Sequence, residues 1–328
     1  MRIDRRRAAV LLAALVLLLA VAVTSLAVGA QAIPPAEIWQ AFTAYAGTDE
    51  HVIVRGIRVP RTVLGICVGA ALGTAGTLVQ TLTRNPLAEP GILGVTSGAG
   101  FAIVLGALLG LADSAAGQLG LAFAGAVLAS VAVYAVGSTS PLRLVLTGVA
   151  LSAVLAGISL GIRLLVPDVF DRHRFWAVGA LAGHEQQPLT PALVTIGVAL
   201  AGAVAITRPL NAMVLGDEVA KALGGHVTRT RLGVLVLVTL LAGAATAAAG
   251  PIAFLGLMVP HLARRVAGAS IPWLMAYTMV LGPILLLVSD IAARVLLPTG
   301  EVPVAVVTAF LGAPVLIWAV RSRGMVRS

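Results

Sequence analysis

The chain has 328 residues, of which 59% are hydrophobic and only 11% are charged, and its mean hydropathy is +1.03. About a quarter of the residues in a soluble domain are charged, so this composition excludes a surface that faces only water and predicts an all-α polytopic membrane protein. The formal net charge is +9, but the arginines lie at the ends of apolar runs and not on a basic soluble face, which argues against nucleic acid as a partner.

The first element is an apolar run near residues 8–30, preceded by Arg5, Arg6 and Arg7. A signal peptide has the same order of features, but its apolar core is usually only about 7–15 residues long. The run is long enough to cross a bilayer as a helix, which takes about 20 residues. We interpret it as an uncleaved first span that also directs insertion.

Later apolar runs bring the prediction to about ten transmembrane helices in one transmembrane domain, residues 1–328. The run near 252–268 is short and contains Pro260, His261 and two arginines. It is interpreted as a short span, because a broken helix is tolerated only where protein or water surrounds it. The other predicted spans lie near 62–83, 92–111, 117–137, 143–166, 190–207, 231–250, 272–292 and 303–320.

Both ends of the chain are rich in arginine, which favours an even number of spans. Cytoplasmic loops and termini retain basic residues, so both termini are predicted to be cytoplasmic, and ten spans satisfy this condition where nine do not. The terminal arginines are Arg2, Arg5, Arg6 and Arg7 at the start, and Arg321, Arg323 and Arg327 at the end.

Three arginines, Arg55, Arg58 and Arg61, precede the second span on the predicted outer side, where positive charge is disfavoured. They could anchor the chain at lipid headgroups. They could equally form a docking patch for an acidic partner, since a guanidinium pairs with a carboxylate through two hydrogen bonds. The residues alone leave both interpretations open. Within the span, Cys67 is the only cysteine of the chain, so no internal disulfide and no cysteine-based metal site is expected.

A long polar connection with two prolines, Pro86 and Pro90, separates the second and third spans, and Glu89 lies between them. Proline ends helices, so the chain is predicted to break here. An ordinary tight turn would not need so long a connection. The glycines that follow, Gly94 and Gly98, are expected to start a closely packed helix.

A short amphipathic helix is predicted between Gly216 and Gly224, in the segment 211–226 of the longest cytoplasmic loop. Its first turn is acidic, which suits the helix dipole, and Lys221 lies four residues after Asp217, where the two can pair. Its apolar face has nothing in the loop to cover it. A partner's groove is therefore preferred to the bilayer surface, since surface helices usually carry more lysine and arginine.

Asp290 and Arg294 lie four residues apart near the outer end of the ninth span. This spacing puts them on one helical face and predicts a structural ion pair at the edge of the membrane. A proton-relay role for Asp290 is the alternative, which the neighbouring arginine disfavours.

Several motifs in a fixed order resemble the FecCD family of ABC importer permeases, which serve iron-siderophore, haem and cobalamin uptake. The family's Arg-x-Pro-Arg element is Arg58-Val-Pro60-Arg61 here. Residues 80–94 match Gln-x-x-x-x-Asn-Pro-Leu-Ala-x-Pro-x-x-Leu-Gly, and residues 250–264 match Gly-x-Ile-x-Phe-x-Gly-Leu-x-x-Pro-His-x-x-Arg. The similarity covers the chain from the second span to its C-terminal end.

The resemblance implies the BtuC-like fold of type II ABC importer permeases, with ten spans in each of two subunits around a central path. It implies that Arg58, Arg61 and Arg294 meet glutamates of a solute-binding protein. It also implies a cytoplasmic gate and a coupling segment that enters the ATPase. The gate positions are Asn85, Pro86, Leu87, Ser138, Thr139 and Ser140, and the coupling positions are Gly216, Asp217, Glu218, Lys221, Leu223 and Gly224.

The chain contains no Gly-x-x-x-x-Gly-Lys-Ser/Thr motif, so it is not expected to bind ATP through a phosphate loop or to be an enzyme. ATP and Mg²⁺ are then expected on a partner. The resemblance implies a second permease subunit, identical or paralogous, two cytosolic ATPase subunits and an extracytoplasmic solute-binding protein, all at the bacterial plasma membrane. A ferric siderophore is the expected substrate, with cobalamin and haem as alternatives.

Two other classes of function are weighed against import. A proton-coupled secondary transporter needs acidic side chains along a path in the membrane. Asp290 and Glu89 fit poorly, because the first has an arginine one turn away and the second lies in a loop. An intramembrane enzyme needs paired acidic or histidine side chains on facing helices, whereas the five histidines are scattered and mostly in loops. No catalytic residue and no metal ligand is assigned.

Overall fold

The computed structural model describes residues 2–29, 31–137, 140–183, 188–214, 216–222, 224–297 and 300–324, and the regular secondary structure of this part of the chain is all helical, without strands. The helices, in chain order, are α1 (Arg2–Ala27), α2 (Pro35–Thr43), α3 (Asp49–Ile53), α4 (Val59–Thr83), α5 (Val95–Leu108), α6 (Ala115–Gly137), α7 (Pro141–Leu165), α8 (Pro167–Trp176), α9 (Thr190–Ala205), α10 (Thr207–Val214), α11 (Asp217–Ala222), α12 (Val227–Ala249), α13 (Leu255–Ala267), α14 (Ile271–Val295) and α15 (Val304–Gly324). A π-helical turn joins α3 to α4, and a 3₁₀ turn, Pro90–Leu93, precedes α5.

The expectation of an all-α polytopic membrane protein is confirmed. Six helical stretches among the described residues are long and apolar enough to cross a bilayer: α1, the continuous stretch Asp49–Thr83, α6, α7, α12 and α14. The pair α9 and α10, bent by 51°, is a seventh candidate. Helices α5, α13 and α15 lie in the remaining three predicted runs. The ten-span topology itself stays a prediction.

Helix α4 forms the centre of the bundle, because α12, α13 and α14 all pack against it. Small residues make this packing close. A methyl group at Gly76 would overlap the carbonyl oxygen of Gly256 in α13, and one at Gly282 in α14 would overlap the carbonyl of Gly69. Such contacts let the helix backbones approach closely. The helices are then held together by van der Waals attraction, because the hydrophobic effect does not drive association within lipid.

Helix α13 starts inside the protein, which explains why its run is short. It has 13 residues, and its N-cap, Phe254, has a left-handed backbone with φ of 66°. The backbone N–H of Phe254 donates a hydrogen bond of 2.6 Å to the carboxylate of Glu89, which comes from the connection after α4. Pro90 of the same connection packs on Gly256. Both proline-containing segments that were predicted as helix breaks therefore meet in the interior.

Helices α1 and α7 lie at the periphery. Only 6% of the residues in the apolar part of α1 and 11% of those in α7 are buried within the chain. Both helices expose large aliphatic side chains, mainly leucine and valine, and α7 also exposes the small residues Ala153, Ala156 and Gly157. Both peripheral helices therefore present apolar surfaces outward, and they differ in that α1 contains no glycine.

Candidate functional site

A cluster of five charged side chains, four of them buried, lies at one end of the bundle, where α1, α4 and α14 meet. Its members are Arg58, Arg61, Asp290, Arg294 and Glu301. The three arginine residues are 5%, 7% and 4% exposed, and Asp290 is fully buried. Since isolated charges are not tolerated in such surroundings, each guanidinium must find a partner inside the chain.

Asp290 is the centre of this cluster. The Nε and Nη2 atoms of Arg61 donate to its carboxylate, the shortest distance being 2.7 Å to Oδ1, and Arg294 donates to Oδ2. Arg61 also donates a 2.7 Å hydrogen bond to Glu301. The helix-spaced partner Arg294 was expected, whereas Arg61, 229 residues earlier, and Glu301 were not. A carboxylate held by two arginines is suited to a structural role and not to proton relay.

The remaining hydrogen bonds of the cluster fasten the end of α1. Arg294 donates to the carbonyl oxygens of Ser25 at 2.8 Å and Val28 at 3.1 Å. Arg58 donates to the carbonyl of Leu26 at 2.6 Å and to that of Gln31. Three segments distant in sequence, residues 25–31, 58–61 and 290–301, are therefore joined through three guanidinium groups.

The lipid-anchor interpretation is wrong for Arg58 and Arg61, because their side chains are buried and hydrogen-bonded within the chain. Arg55 is the exposed member of the predicted trio. Its guanidinium lies 4.7 Å from the centre of the Tyr45 ring and donates a 3.3 Å hydrogen bond to the carbonyl of Phe42. Docking of a binding protein by Arg58, Arg61 and Arg294 stays a prediction, and it would require these side chains to exchange internal partners.

At the cytoplasmic side of the predicted topology, the structure has a short helix, α11, where the sequence predicted one. Gly216 and Gly224 flank it with φ of 115° and 79°. Ala220 is buried with Met213 and Val227, so α11 packs on its neighbours α10 and α12. The side chains of Glu218, Val219 and Lys221 are exposed, and Leu223 lies outside the described residues.

The partner of Asp217 differs from the expected one. Its carboxylate pairs with Arg84 at 3.0 Å and with Arg231, not with Lys221. A six-residue helix leaves Asp217 in the first turn, facing the guanidinium groups that α4 and α12 bring to it. Arg84 and Arg231 were not assigned a role from the sequence.

The predicted gate positions 85–87 form a tight turn directly after α4. The side-chain oxygen of Asn85 accepts a 3.0 Å hydrogen bond from the backbone N–H of Leu87. Ser140 caps α7 by accepting from the N–H of Arg143 at 3.2 Å. Ser138 and Thr139 lie outside the described residues. A cavity of about 130 Å³ lies between the last turn of α4 and Ser140: it is lined by Leu82, Thr83, Tyr134, Ser140, Leu144, Thr228, Arg231 and Leu235.

A buried amide connects α4 to the interior helix. Gln80 is fully enclosed, and its NH₂ group donates to the carbonyl oxygens of Gly256 and Leu257 at 3.3 and 3.4 Å. Its oxygen accepts a 2.7 Å hydrogen bond from Arg264. Both residues belong to the family-like motifs, so the motifs meet in space as one polar contact.

His173 in α8, outside the spanning helices, is a buried titratable group. Its ring lies 3.5 Å from the guanidinium of Arg163 and beside Trp176. Burial, and then the positive charge of Arg163, lower the pKa of His173 to about 4. Because the folded-state pKa lies below the unfolded value of about 6.5, its stabilising effect is complete above pH 6.5 and is lost as the pH falls towards 4.

We therefore expect acidification from pH 7 to pH 5 to cost about 2 kcal/mol through this group alone. The measurement is thermal unfolding in detergent at both pH values for the wild type and His173→Gln, since other groups titrate equally in both. The wild type should lose more stability than the variant. Equal losses would show that His173 titrates normally.

Within the described residues, no group of three histidine, cysteine, aspartate or glutamate side chains is placed to hold a metal ion. The arrangement is suited instead to mechanical coupling. The short helix α11 and the turn after α4 lie in contact at one end, beside a cavity, and an ionic cluster lies at α1, α4 and α14.

Comparison with known proteins gives consistent matches over nearly the whole chain. The model of the FecCD transport family matches residues 17–322. The match starts within α1, earlier than the second span from which the motifs suggested it. A solved metal-chelate type ABC transporter, in an inward-facing conformation, is similar with a TM-score of 0.85 and 27% identity, covering 95% of this chain and 99% of that one.

Two curated relatives extend this comparison. The ferric enterobactin transport system permease protein of Escherichia coli is 49% identical over 94% of both chains. The hemin transport system permease protein of Yersinia pestis is 35% identical over 93% of both chains.

Proposed function

The chain belongs to the FecCD transport family, and from this we propose that it is the membrane-spanning permease subunit of an ABC importer that carries a ferric siderophore into the cytoplasm. The observation that carries the proposal is the 49% identity, over 94% of both chains, to the ferric enterobactin permease. A haem permease is the second candidate, because the hemin permease is also similar over nearly its whole length. Its lower identity, 35%, favours the siderophore.

The test is transport by the purified complex in proteoliposomes, with its ATPase subunits and binding protein. Ferric enterobactin, haem and cobalamin are offered in turn, with and without ATP inside the vesicles. We expect ATP-dependent accumulation of ferric enterobactin. Accumulation of haem alone would show that haem, and not a ferric siderophore, is the substrate. Accumulation of any of the three ligands without the ATPase subunits would support a secondary transporter.

The energy is proposed to come from two separate cytosolic ATPase subunits, which would hold ATP and Mg²⁺. Two features support this. The sequence has no phosphate-binding loop, and α11 exposes Glu218, Val219 and Lys221 beyond the bundle. A short helix with an exposed face is suited to a groove of a partner. The proposed location is the bacterial plasma membrane, with both termini and α11 in the cytoplasm.

A solute-binding protein is proposed to deliver the ligand at the opposite side, close to the buried charge cluster. Arg58, Arg61 and Arg294 remain the proposed contacts. Because Asp290 and Glu301 already hold two of these arginines, carboxylates of the binding protein would compete with internal ones. Docking of the binding protein and rearrangement of the charge cluster would then occur together.

The second permease subunit is proposed to pack on α7. Membrane helices associate through faces of small residues, and α7 exposes Ala153, Ala156 and Gly157, with nothing within 4 Å of a methyl group placed on Gly157. Helix α1 exposes leucine and valine but contains no glycine, and it is proposed to face lipid.

Gly157→Leu is therefore expected to split the permease pair, because the added side chain would hold the two surfaces apart. The measurement is the mass of the detergent-solubilised complex by light scattering. The matched control is Ala20→Leu, which enlarges an exposed residue of α1 and should leave the mass unchanged. A Gly157→Leu complex of full mass would contradict the interface.

A further inference from the structure

Asp217, the first residue of α11, is shared by two arginines from different parts of the chain. Its Oδ1 atom accepts a 3.0 Å hydrogen bond from Arg84, and its Oδ2 atom accepts one from Arg231. Arg231 belongs to α12, whereas Arg84 directly follows α4. The carboxylate thus joins the helix proposed to meet the ATPase to the end of the central helix.

The helices around Asp217 form one compact unit. Ala220 is buried with Met213 of α10 and Val227 of α12. The side chain of Asn211, also in α10, accepts a 3.2 Å hydrogen bond from the backbone N–H of Ile271, which starts α14. A displacement of α11 should therefore carry the ends of α10 and α12 with it. Arg84 makes a second contact with this unit by donating a 3.4 Å hydrogen bond to the backbone carbonyl of Met213.

Arg84 is also the residue at which α4 ends. It is the C-cap of that helix and has a left-handed backbone with φ of 52°, which is unfavourable for a residue with a side chain. The next N–H, of Asn85, donates a 3.2 Å hydrogen bond to the carbonyl of Gln80, and Asn85 then holds Leu87. The predicted gate turn, residues 85–87, therefore begins at the residue whose side chain is bound to α11.

We propose that Arg84 is a positioning residue for transport, whose ion pair with Asp217 conveys the movement of α11 to residues 85–87. The inference rests on the proposed function, because it takes α11 as the contact of the ATPase. The pair does not act by stabilising the fold: the side chain of Arg84 is 59% exposed, and exposed ion pairs contribute little to stability. Variants at this position are expected to fold.

The experiment follows the movement of the turn itself. Leu87 is 42% exposed, so Leu87→Cys, in a Cys67→Ala background that removes the only native cysteine, reports the turn through its rate of maleimide labelling. The rate is measured on the complex with its ATPase subunits in nanodiscs, without nucleotide and with Mg-ATP and vanadate. We expect nucleotide to change it at least threefold in this parent and less than 1.5-fold after Arg84→Ala.

Two further variants separate the ion pair from general effects. Arg84→Lys keeps the positive charge and should retain at least half of the response. Arg229→Ala removes an exposed arginine two residues before Arg231 and should respond like the parent.

An undiminished response after Arg84→Ala would overturn the inference, as would a response lost equally with lysine and alanine. A parent whose labelling does not respond to nucleotide would overturn it as well. Ferric enterobactin uptake by the wild-type complex then shows separately whether the proposed function stands.

Discussion

Replacing Asp290 by alanine is expected to destabilise the protein by about 3–5 kcal/mol, the cost of leaving buried charges without their partner. Arg61 and Arg294 both donate to this carboxylate, and both are nearly inaccessible to solvent. The bundle can respond only by admitting water or by moving α1 away from α14. Either response loosens the bonds from Arg294 to Ser25 and Val28 that hold the end of α1.

The measurement is the midpoint of thermal unfolding in detergent, followed by intrinsic fluorescence. The matched control is Glu301→Ala, because Glu301 is one-third exposed and binds only one of the cluster's arginines, Arg61. Its loss should lower the midpoint by less than half as much. Similar midpoints for the wild type and Asp290→Ala would show that the cluster does not support the fold.

Replacing Gly76 by alanine is expected to disrupt the contact between α4 and α13, at a cost of about 3 kcal/mol, the upper end of the usual range for overpacking. The added methyl group would overlap a backbone carbonyl, that of Gly256, which cannot move aside as a side chain can. Gln80, one turn further along α4, donates to the same carbonyl, so its hydrogen bond should also be lost.

Gly197→Ala is the matched control, because Gly197 lies inside α9 and has nothing within 4 Å of the added methyl group. Yield of folded protein in the membrane and its thermal midpoint are compared for both variants. Only Gly76→Ala should lower them. If both variants behave alike, the close approach of α4 and α13 is not required.

Local sequence signals predicted the fold class and the position of several elements. Hydropathy located the long helices, and glycines at both ends located α11. The proline-containing run near 252–268 was expected to be short, and α13 has 13 residues. These features depend on the chemistry of neighbouring residues, which one sequence displays directly.

The partners of charged residues could be predicted only where they are neighbours in sequence. Spacing along a helix brought Arg294 to Asp290, but Arg61 reaches the same carboxylate from 229 residues away. The same holds for Arg84 and Asp217, which are 133 residues apart and for which the sequence suggested Lys221 as the partner. Such pairs follow from how the helices are packed, and no local pattern in a single sequence encodes that packing.

The lipid-anchor interpretation of the arginines before the second span was wrong at two of three positions for a related reason. Clustered arginines before a span predict a position at the membrane surface, and Arg55 does lie exposed. Arg58 and Arg61 face inward, because the π-helical turn Val54–Arg58 runs into α4 and their side chains point towards α1 and α14. Glu301, which lies in a loop, completes the arrangement without any motif of its own.

The interior start of α13 has a consequence for how the polypeptide assembles. At 13 residues this helix is only about 20 Å long, short of the roughly 30 Å of hydrocarbon that an independent span must cross. The N–H of its N-cap residue, Phe254, donates to Glu89, and Gly256 of the helix packs closely on Gly76 and Pro90, all from the first third of the protein. We therefore expect α13 to reach its final position during biosynthesis only after α4 and the connection that follows it have folded. The last third of the chain would then pack onto helices formed by the first third.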